Sequence, residues 1–209
     1  MSKKFTITLG RECGAGATPI AEILSKELNI PYYHKDIFRM VSDKSGVLEE
    51  FFHVNNERTG NNLLYKIIKD LNPKDQKPSL GKDIVSPDNL FRFQSELIRE
   101  LADNETCIIV GRCADYVLKD YSNVVNVFAC GSPESKIHLM MRTFSLERYA
   151  AIDRIRETDK QRSKYYNYYT GRTWGAASNY DLCLNTGDMT IEQAANQVIF
   201  YLKQKGYID

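Results

Sequence analysis

Three glycines near the start of the chain have the spacing of an anion-binding loop. The stretch reads GRECGAGATPIA over residues 10–21 and directly follows an apolar, alternating run. Gly10, Gly14 and Gly16 permit positive φ angles and a close approach of the backbone to a ligand. A helix predicted to begin near Thr18 would direct its first N–H groups and its positive dipole end at that ligand. Phosphate fits this chemistry.

Two other interpretations of the glycines are open. A tight turn without a ligand needs the same backbone freedom. A dinucleotide-binding loop needs a third glycine after Gly14 and Gly16, but Pro19 stands at that position. Pro19 suits the first turn of a helix, where its missing N–H costs nothing.

Arginine side chains could complete a phosphate site, and they cluster in the second half of the chain. The planar guanidinium holds two phosphate oxygens at once. Asp159 and Arg162 are three residues apart, which places them on one face of a helix. An ordinary surface ion pair is the alternative interpretation of that spacing.

Alternating strands and helices would position these residues. Short apolar or alternating runs predict strands at 5–9, 31–33, 106–110, 124–130 and 180–185. Helical patterns lie between them, including a long helical stretch from Pro133 to about Tyr169 and a helix begun by Ser86 and Pro87. Apolar strands that alternate with helices indicate a doubly wound α/β fold with a five-stranded parallel sheet and helices on both faces. Ligands of such sheets bind beyond the carboxyl ends of the strands.

The composition fits one domain of 209 residues with 43% hydrophobic residues. The 28 basic and 27 acidic side chains nearly cancel, so the net charge does not attract the protein to nucleic acid or to an anionic membrane. No run approaches the roughly 18 apolar residues of a membrane span, so we expect a cytoplasmic protein. The five cysteines are odd in number and form no CxxC pair, which predicts reduced thiols. Residues from about 44 to 86 are polar and rich in turn residues, and we interpret them as an insertion.

An aromatic group follows the arginines. It comprises Tyr165, Tyr166, Tyr168 and Tyr169, with Trp174 beyond them. Helical spacing predicts that these rings pack the helix against the sheet, and stacking on a base is the alternative.

Segments spread along the chain resemble, in order, the cytidylate kinase-like family of P-loop proteins. They are GRECGAGATPIA with IPYYHKDIF, IIVGRCADYVL, NVFACGSPESKIHLMMR, ETDKQRSKYY and NYDLCLNTGDMTIEQAANQVIFYL. The likeness covers most of the chain except residues from about 47 to 85.

The resemblance implies a P-loop NTPase fold and transfer of the γ-phosphoryl group of ATP to a nucleoside monophosphate, CMP or dCMP by default, with Mg²⁺ as counter-ion. It assigns ATP binding to Gly10, Arg11, Gly14, Ala15, Gly16, Ala17 and Thr18, with Thr18 also a magnesium ligand. It assigns acceptor binding to Arg39, Arg112, Asp159 and Arg162, and phosphoryl transfer to Arg142, Arg154 and Arg156. It further implies that the insertion at about 44–86 binds the acceptor and that residues of about 142–157 form a lid.

Two positions depart from the family's pattern. A Walker loop reads GxxxxGK[ST], whereas this loop is one residue longer and carries Ala17 at the lysine position. The family's Gly-Arg-Asp reads Gly-Arg-Cys here, and Cys113 cannot orient an arginine or a sugar as a carboxylate would. Two alternatives to the kinase follow: a catalytically impaired nucleotide-binding module, and a kinase of another small metabolite.

Overall fold

The computed structural model describes residues 4–45 and 86–209, so the predicted insertion lies almost wholly outside the described residues. The strands are β1 (Thr6–Arg11), β2 (Tyr32–Tyr33), β3 (Cys107–Val110), β4 (Val124–Cys130) and β5 (Leu182–Asn185). The described helices are α1 (Ala17–Leu28), α2 (Asp36–Ser45), α3 (Pro87–Asn104), α4 (Ala114–Val117), α5 (Pro133–Phe144), α6 (Arg148–Thr170) and α7 (Ile191–Gln204). A 3₁₀ turn at Ala177–Asn179 precedes β5.

The five strands form one parallel sheet in the order β2-β3-β1-β4-β5. β1 is central: Leu9 pairs with Val110 of β3 on one side and with Val127 of β4 on the other. The loop after β1 therefore emerges in the middle of the carboxyl edge, between the ends of β3 and β4. This topology confirms the predicted fold.

Helices cover both faces of the sheet, because residues of each strand alternate between two cores. Ile108 packs with α1 and α7, as does Leu9 of the central strand. Ile109 points the other way and packs with α2 and α3, whose largest buried side chains include Phe38 and Ile98.

The predicted start of α3 is confirmed by its cap. The Ser86 hydroxyl accepts a hydrogen bond from the backbone N–H of Asn89 at 3.2 Å, and Pro87 occupies the first turn. This arrangement satisfies one of the N–H groups that the first turn of a helix leaves unpaired.

The single long helical stretch predicted from Pro133 to about Tyr169 is wrong, because two helices share it. α5 ends where Ser145 takes a left-handed conformation with φ 52°, and the Leu146 N–H then donates to the Met141 carbonyl at 3.2 Å. Leu146 packs in a small core with residues of both helices, including Ile137 and Ile155. This packing lets α6 fold back along α5.

None of the helices in 4–45 and 86–209 is long and apolar enough to cross a membrane.

Candidate functional site

The loop after β1 makes a sharp turn that only small residues fit. Gly14 and Gly16 have φ angles of 80° and 74°, and a Cβ added to Gly14 would lie 2.8 Å from the carbonyl oxygen of Lys136. Gly16 is the N-cap of α1, and no side chain of the described residues caps that helix. Its first N–H groups therefore face the loop, as the sequence predicts.

The position of the absent Walker lysine lies inside the protein. Ala17 is 2% exposed, and with Ala15 it belongs to the core beneath α1 and α7. Thr186 fastens the loop to the end of β5, since its hydroxyl donates to the Ala15 carbonyl at 3.2 Å. Position 17 thus anchors the loop and supplies no charge to a ligand.

Two carboxylates and one lysine lie against the loop. Lys136 Nζ lies 2.9 Å from Glu12 Oε2 and 3.6 Å from Asp159 Oδ2. The other Asp159 oxygen accepts a hydrogen bond from the Cys13 N–H at 2.6 Å, and Glu12 Oε2 accepts one from the Gly131 N–H at 3.2 Å. We call Glu12, Lys136 and Asp159 the loop triad.

Burial and charge compete within the loop triad. Burial opposes the charge on Lys136, but the hydrogen bond to Glu12 and the two carboxylates outweigh it and raise the lysine pKa. Burial raises the pKa of Asp159, while the Cys13 N–H and Lys136 act against the rise. Lys136 is therefore positively charged and lies beside the loop, between Glu12 and Asp159.

Three arginines from distant parts of the chain converge beside the loop, in a cleft of about 50 Å³. Arg11 ends β1, Arg112 follows β3, and Arg162 lies on α6. The cleft is lined by Gly10, Arg11, Gly111, Arg112, Cys113, Asp115, Arg162, Tyr165, Tyr166, Trp174 and Tyr180. We call it the arginine cleft, and it is suited to an anion.

The backbone that presents Arg112 is strained. Gly111, Arg112 and Cys113 have successive positive φ angles of 77°, 63° and 54°. A Cβ on Gly111 would clash with the Nη1 atom of Arg11, so the missing side chain at Gly111 makes room for the Arg11 guanidinium. Such strain persists only where the surroundings enforce it, and the Gln94 side chain does so by donating to the Arg112 carbonyl at 3.1 Å.

His34 lies among the arginines as a neutral ring. Burial and the charges of Arg11 and Arg112 lower its pKa to about 3. Its Nε2 lies 3.4 Å from an Nη atom of Arg11, and its backbone carbonyl accepts from Arg112 at 3.3 Å. His34 thus helps to hold the guanidiniums without adding charge, a role that the sequence does not reveal.

Aromatic residues also line the arginine cleft. Tyr165 and Tyr166 do so, and the Tyr166 hydroxyl donates to Asp115 Oδ2 at 2.6 Å. Tyr169 instead stacks on Phe91 with ring centres 4.1 Å apart. Tyr169 therefore packs α6 against α3, whereas the sequence predicts packing against the sheet, and Tyr165 and Tyr166 line the cleft.

A family model agrees with this architecture: that of the cytidylate kinase-like family matches residues 6–188. The chain belongs to the cytidylate kinase-like family. A cytidylate kinase of Sulfurisphaera tokodaii is 22% identical over 190 residues, which cover 90% of each chain.

Solved structures share the fold of this cytidylate kinase-like chain. An uncharacterized protein of Eubacterium ventriosum has a TM-score of 0.71 at 24% identity, covering 96% of this chain and 99% of its own. A shikimate kinase of Bacteroides thetaiotaomicron has a TM-score of 0.52 at 16% identity, covering 95% and 98%. The fold is that of the P-loop kinases.

The remaining arginines that the family resemblance assigns lie apart from the arginine cleft. Arg39 is exposed on α2, and Arg142 lines a second, open cavity of about 810 Å³ between Gly14 and the segment after β5. Arg154 stacks on Phe144 at 4.1 Å, and Arg156 lies 2.7 Å from Asp153. Their functional assignments stay predictions.

Asp159 and Arg162, assigned to the acceptor, have different surroundings in the structure. Asp159 contacts the loop itself, whereas Arg162 lines the arginine cleft with Arg11. Arg11, assigned to ATP, thus lies with arginines assigned to the acceptor. The acceptor role of Asp159 and the ATP role of Arg11 also stay predictions.

The described residues could bind a magnesium ion only if phosphate oxygens supplied some of its ligands. No group of three or more His, Cys, Asp or Glu side chains in that part of the chain could hold a metal ion. Mg²⁺ in such sites takes few protein ligands and several oxygens from phosphate and water. Thr18, in the first turn of α1, provides a hydroxyl beside the loop.

Proposed function

We propose that the chain transfers the γ-phosphoryl group of ATP to a nucleoside monophosphate, with CMP or dCMP as the acceptor. The observation that carries the proposal is the convergence of Arg11, Arg112 and Arg162 in one cleft beside the glycine loop. Phosphoryl transfer asks a protein mainly to position two phosphates and to neutralise their charge. A loop for one phosphate and a guanidinium cluster for the other meet both demands.

The loop and the start of α1 support the binding of ATP, the phosphoryl donor. Gly14 and Gly16 give the loop the positive φ angles of its turn, and the helix that begins at Gly16 directs its unpaired N–H groups toward a polyphosphate on the loop. Thr18 would hold Mg²⁺ together with the phosphate oxygens, and the ion would neutralise the charge that develops during transfer. We assign the open cavity that Arg142 lines to the remainder of ATP.

The acceptor side is supported by the chemistry of the arginine cleft. Guanidiniums bind phosphate by bidentate hydrogen bonds, as they also bind carboxylate, and the rings of Tyr165 and Trp174 line the same cleft, where they offer surfaces for a base. An acceptor without an anionic group would leave this cluster of charges unmatched. We further propose that residues 142–157 act as a lid and that those of about 44–86 help to bind the acceptor.

Free thiols support a reducing, cytoplasmic setting for this reaction. All five cysteines are free, and Cys13, Cys107 and Cys113 are buried.

A coupled assay of ADP release tests the proposal. The chain is mixed with ATP and Mg²⁺, and CMP, dCMP, UMP, AMP, GMP, shikimate and gluconate are supplied one at a time. The proposal predicts release that depends on CMP or dCMP. Turnover with shikimate or gluconate alone would instead make the protein a kinase of another small metabolite.

Two observations favour a second candidate, a nucleotide-binding module with impaired catalysis. Ala17 removes the usual cation, and Asp159 already occupies the Cys13 N–H. This candidate predicts that ATP binds, as measured by calorimetry, while no acceptor in the panel increases ADP release.

A further inference from the structure

Ala17 raises the question of which group neutralises a polyphosphate on the glycine loop. A buried alanine provides no charge, and we have assigned the three guanidiniums of the arginine cleft to the acceptor. A phosphate site without a cation loses much of its transition-state stabilisation.

Lys136 lies against the loop through its own backbone. Its carbonyl oxygen and Cα would lie 2.8 and 3.0 Å from a Cβ added to Gly14, so α5 packs directly on the turn. The side chain is only 13% exposed and ends between Glu12 and Asp159. Lys136 therefore lies beside the loop with both its backbone and its ammonium group.

The loop triad has one positive and two negative groups, an unfavourable balance for binding a polyphosphate. The Asp159 carboxylate also accepts from the Cys13 N–H at 2.6 Å. That contact, from a backbone N–H of the loop to an anionic oxygen, is of the kind that phosphate oxygens make in glycine loops. Asp159 thus marks a position where the loop binds anions.

We propose that Lys136 is the cation that replaces the Walker lysine, exchanging the carboxylates of Glu12 and Asp159 for the phosphate oxygens of ATP. The inference rests on the proposed function, since it presumes that the loop binds ATP. A lysine ammonium can make this exchange, because it is a compact charge on a flexible stem. Glu12 and Asp159 hold it at the loop until phosphate competes for it.

A purely structural loop triad would make the opposite predictions. In that case the three charges only fasten α5 and α6 to the loop, and neutralising any of them would lower stability without a gain in affinity. Removing Lys136 alone cannot separate these cases, because it would leave two carboxylates without their buried counter-charge.

The test therefore compares two variants in which neither carboxylate remains. One is Glu12→Gln/Asp159→Asn, which keeps Lys136, and the other adds Lys136→Met. Calorimetry measures the binding of ATP with Mg²⁺ and of inorganic tripolyphosphate to each variant, and thermal unfolding checks that both fold. Lys160→Met, an exposed lysine beside Asp159, is the matched control and should bind both ligands as the wild-type chain does.

The proposal predicts that the double variant binds both ligands more tightly than the wild-type chain does. It also predicts that the triple variant, which adds Lys136→Met, binds ATP with Mg²⁺ and tripolyphosphate about ten-fold or more weakly than the double variant does. This factor is the range for losing a hydrogen bond to a charged group. Equal affinity of the double and triple variants would overturn the role of Lys136 and leave the proposed function standing. A wild-type chain that binds neither ligand would contradict the proposed function itself.

Discussion

The guanidinium of Arg112 lies 3.7 Å from the centre of the Phe38 ring, a cation–π contact between the end of β3 and the start of α2. Arg112 is only 8% exposed, and it occupies a left-handed conformation that is unfavourable for a side chain. The ring, the His34 carbonyl and the Gln94 amide together hold it there. This placement aims a rigid, flat cation into the arginine cleft.

Replacing Arg112 by lysine should damage acceptor use although the charge is kept. Lysine lacks the planar fork and stacks less well on Phe38. We expect the KM for CMP to rise about ten-fold or more, the loss of a charged hydrogen bond, while the KM for ATP stays near that of the wild-type chain. Initial rates at varied CMP and varied ATP measure both. Arg99→Lys, at an exposed position of α3, is the control, and an unchanged KM for CMP in Arg112→Lys would contradict the assignment.

Arg162→Ala should affect acceptor use and ATP binding to different extents. Arg162 lines the arginine cleft from α6, so its removal should weaken acceptor use far more than ATP binding. The KM for CMP and the dissociation constant for ATP are measured on the same preparation. Equal losses of both would mean that Arg162 has a structural role.

Gly111→Ala and Gly171→Ala form a matched pair. Both glycines have positive φ angles, 77° and 66°, so alanine should cost roughly 1–2 kcal/mol of unfolding free energy at each. Gly171 has open space where a Cβ would lie, whereas a Cβ on Gly111 meets the Arg11 guanidinium. Denaturant unfolding should therefore show a loss in both variants, but only Gly111→Ala should lose CMP-dependent turnover. Full turnover in Gly111→Ala would show that the position of Arg11 is unimportant.

His34 should make the stability of the protein depend on acidity. Burial, Arg11 and Arg112 lower its pKa from 6.5 to about 3. Between those values the unfolded chain binds a proton that the folded chain refuses, so the free energy of unfolding should fall as the pH drops through this window. The contribution is at most about 1.4 kcal/mol per pH unit.

His34→Gln removes this titration and should flatten the loss of stability between pH 6 and pH 4 (roughly the window set by those two values). Denaturant unfolding across that range measures the slope. The control is His138→Gln, at a histidine whose side chain is 68% exposed. An unaltered slope in His34→Gln would mean that His34 accepts a proton in the folded chain.

Local patterns were sufficient to predict the sheet and the loop. The apolar run of β3 and the cap at Ser86 depend on neighbouring residues, and both lie where the sequence predicts them. The break at Ser145 was missed because its residues keep helical propensity, and the packing of Leu146 against Ile137 decides the turn. Propensity yields to such tertiary contacts.

The charged contacts of the site depend on partners far apart in the chain. Asp159 lies 146 residues from Cys13, and Lys136 lies 124 residues from Glu12. Spacing rules for helices predict that Asp159 and Arg162 share a face, but not that one contacts the loop and the other the arginine cleft. His34 and Asp115 lie in segments that resemble the family, but the sequence predicts no role for either residue, and only their burial beside arginines and tyrosines indicates one.

The most direct test of the account follows the phosphoryl group itself. The chain is incubated with Mg²⁺, CMP and ATP labelled at its γ-phosphate, and the products are separated. The account predicts that the label moves to CDP, and that Arg112→Lys slows its appearance at low CMP. Label that stays in ATP, or is released only as inorganic phosphate whether or not CMP is present, would contradict it.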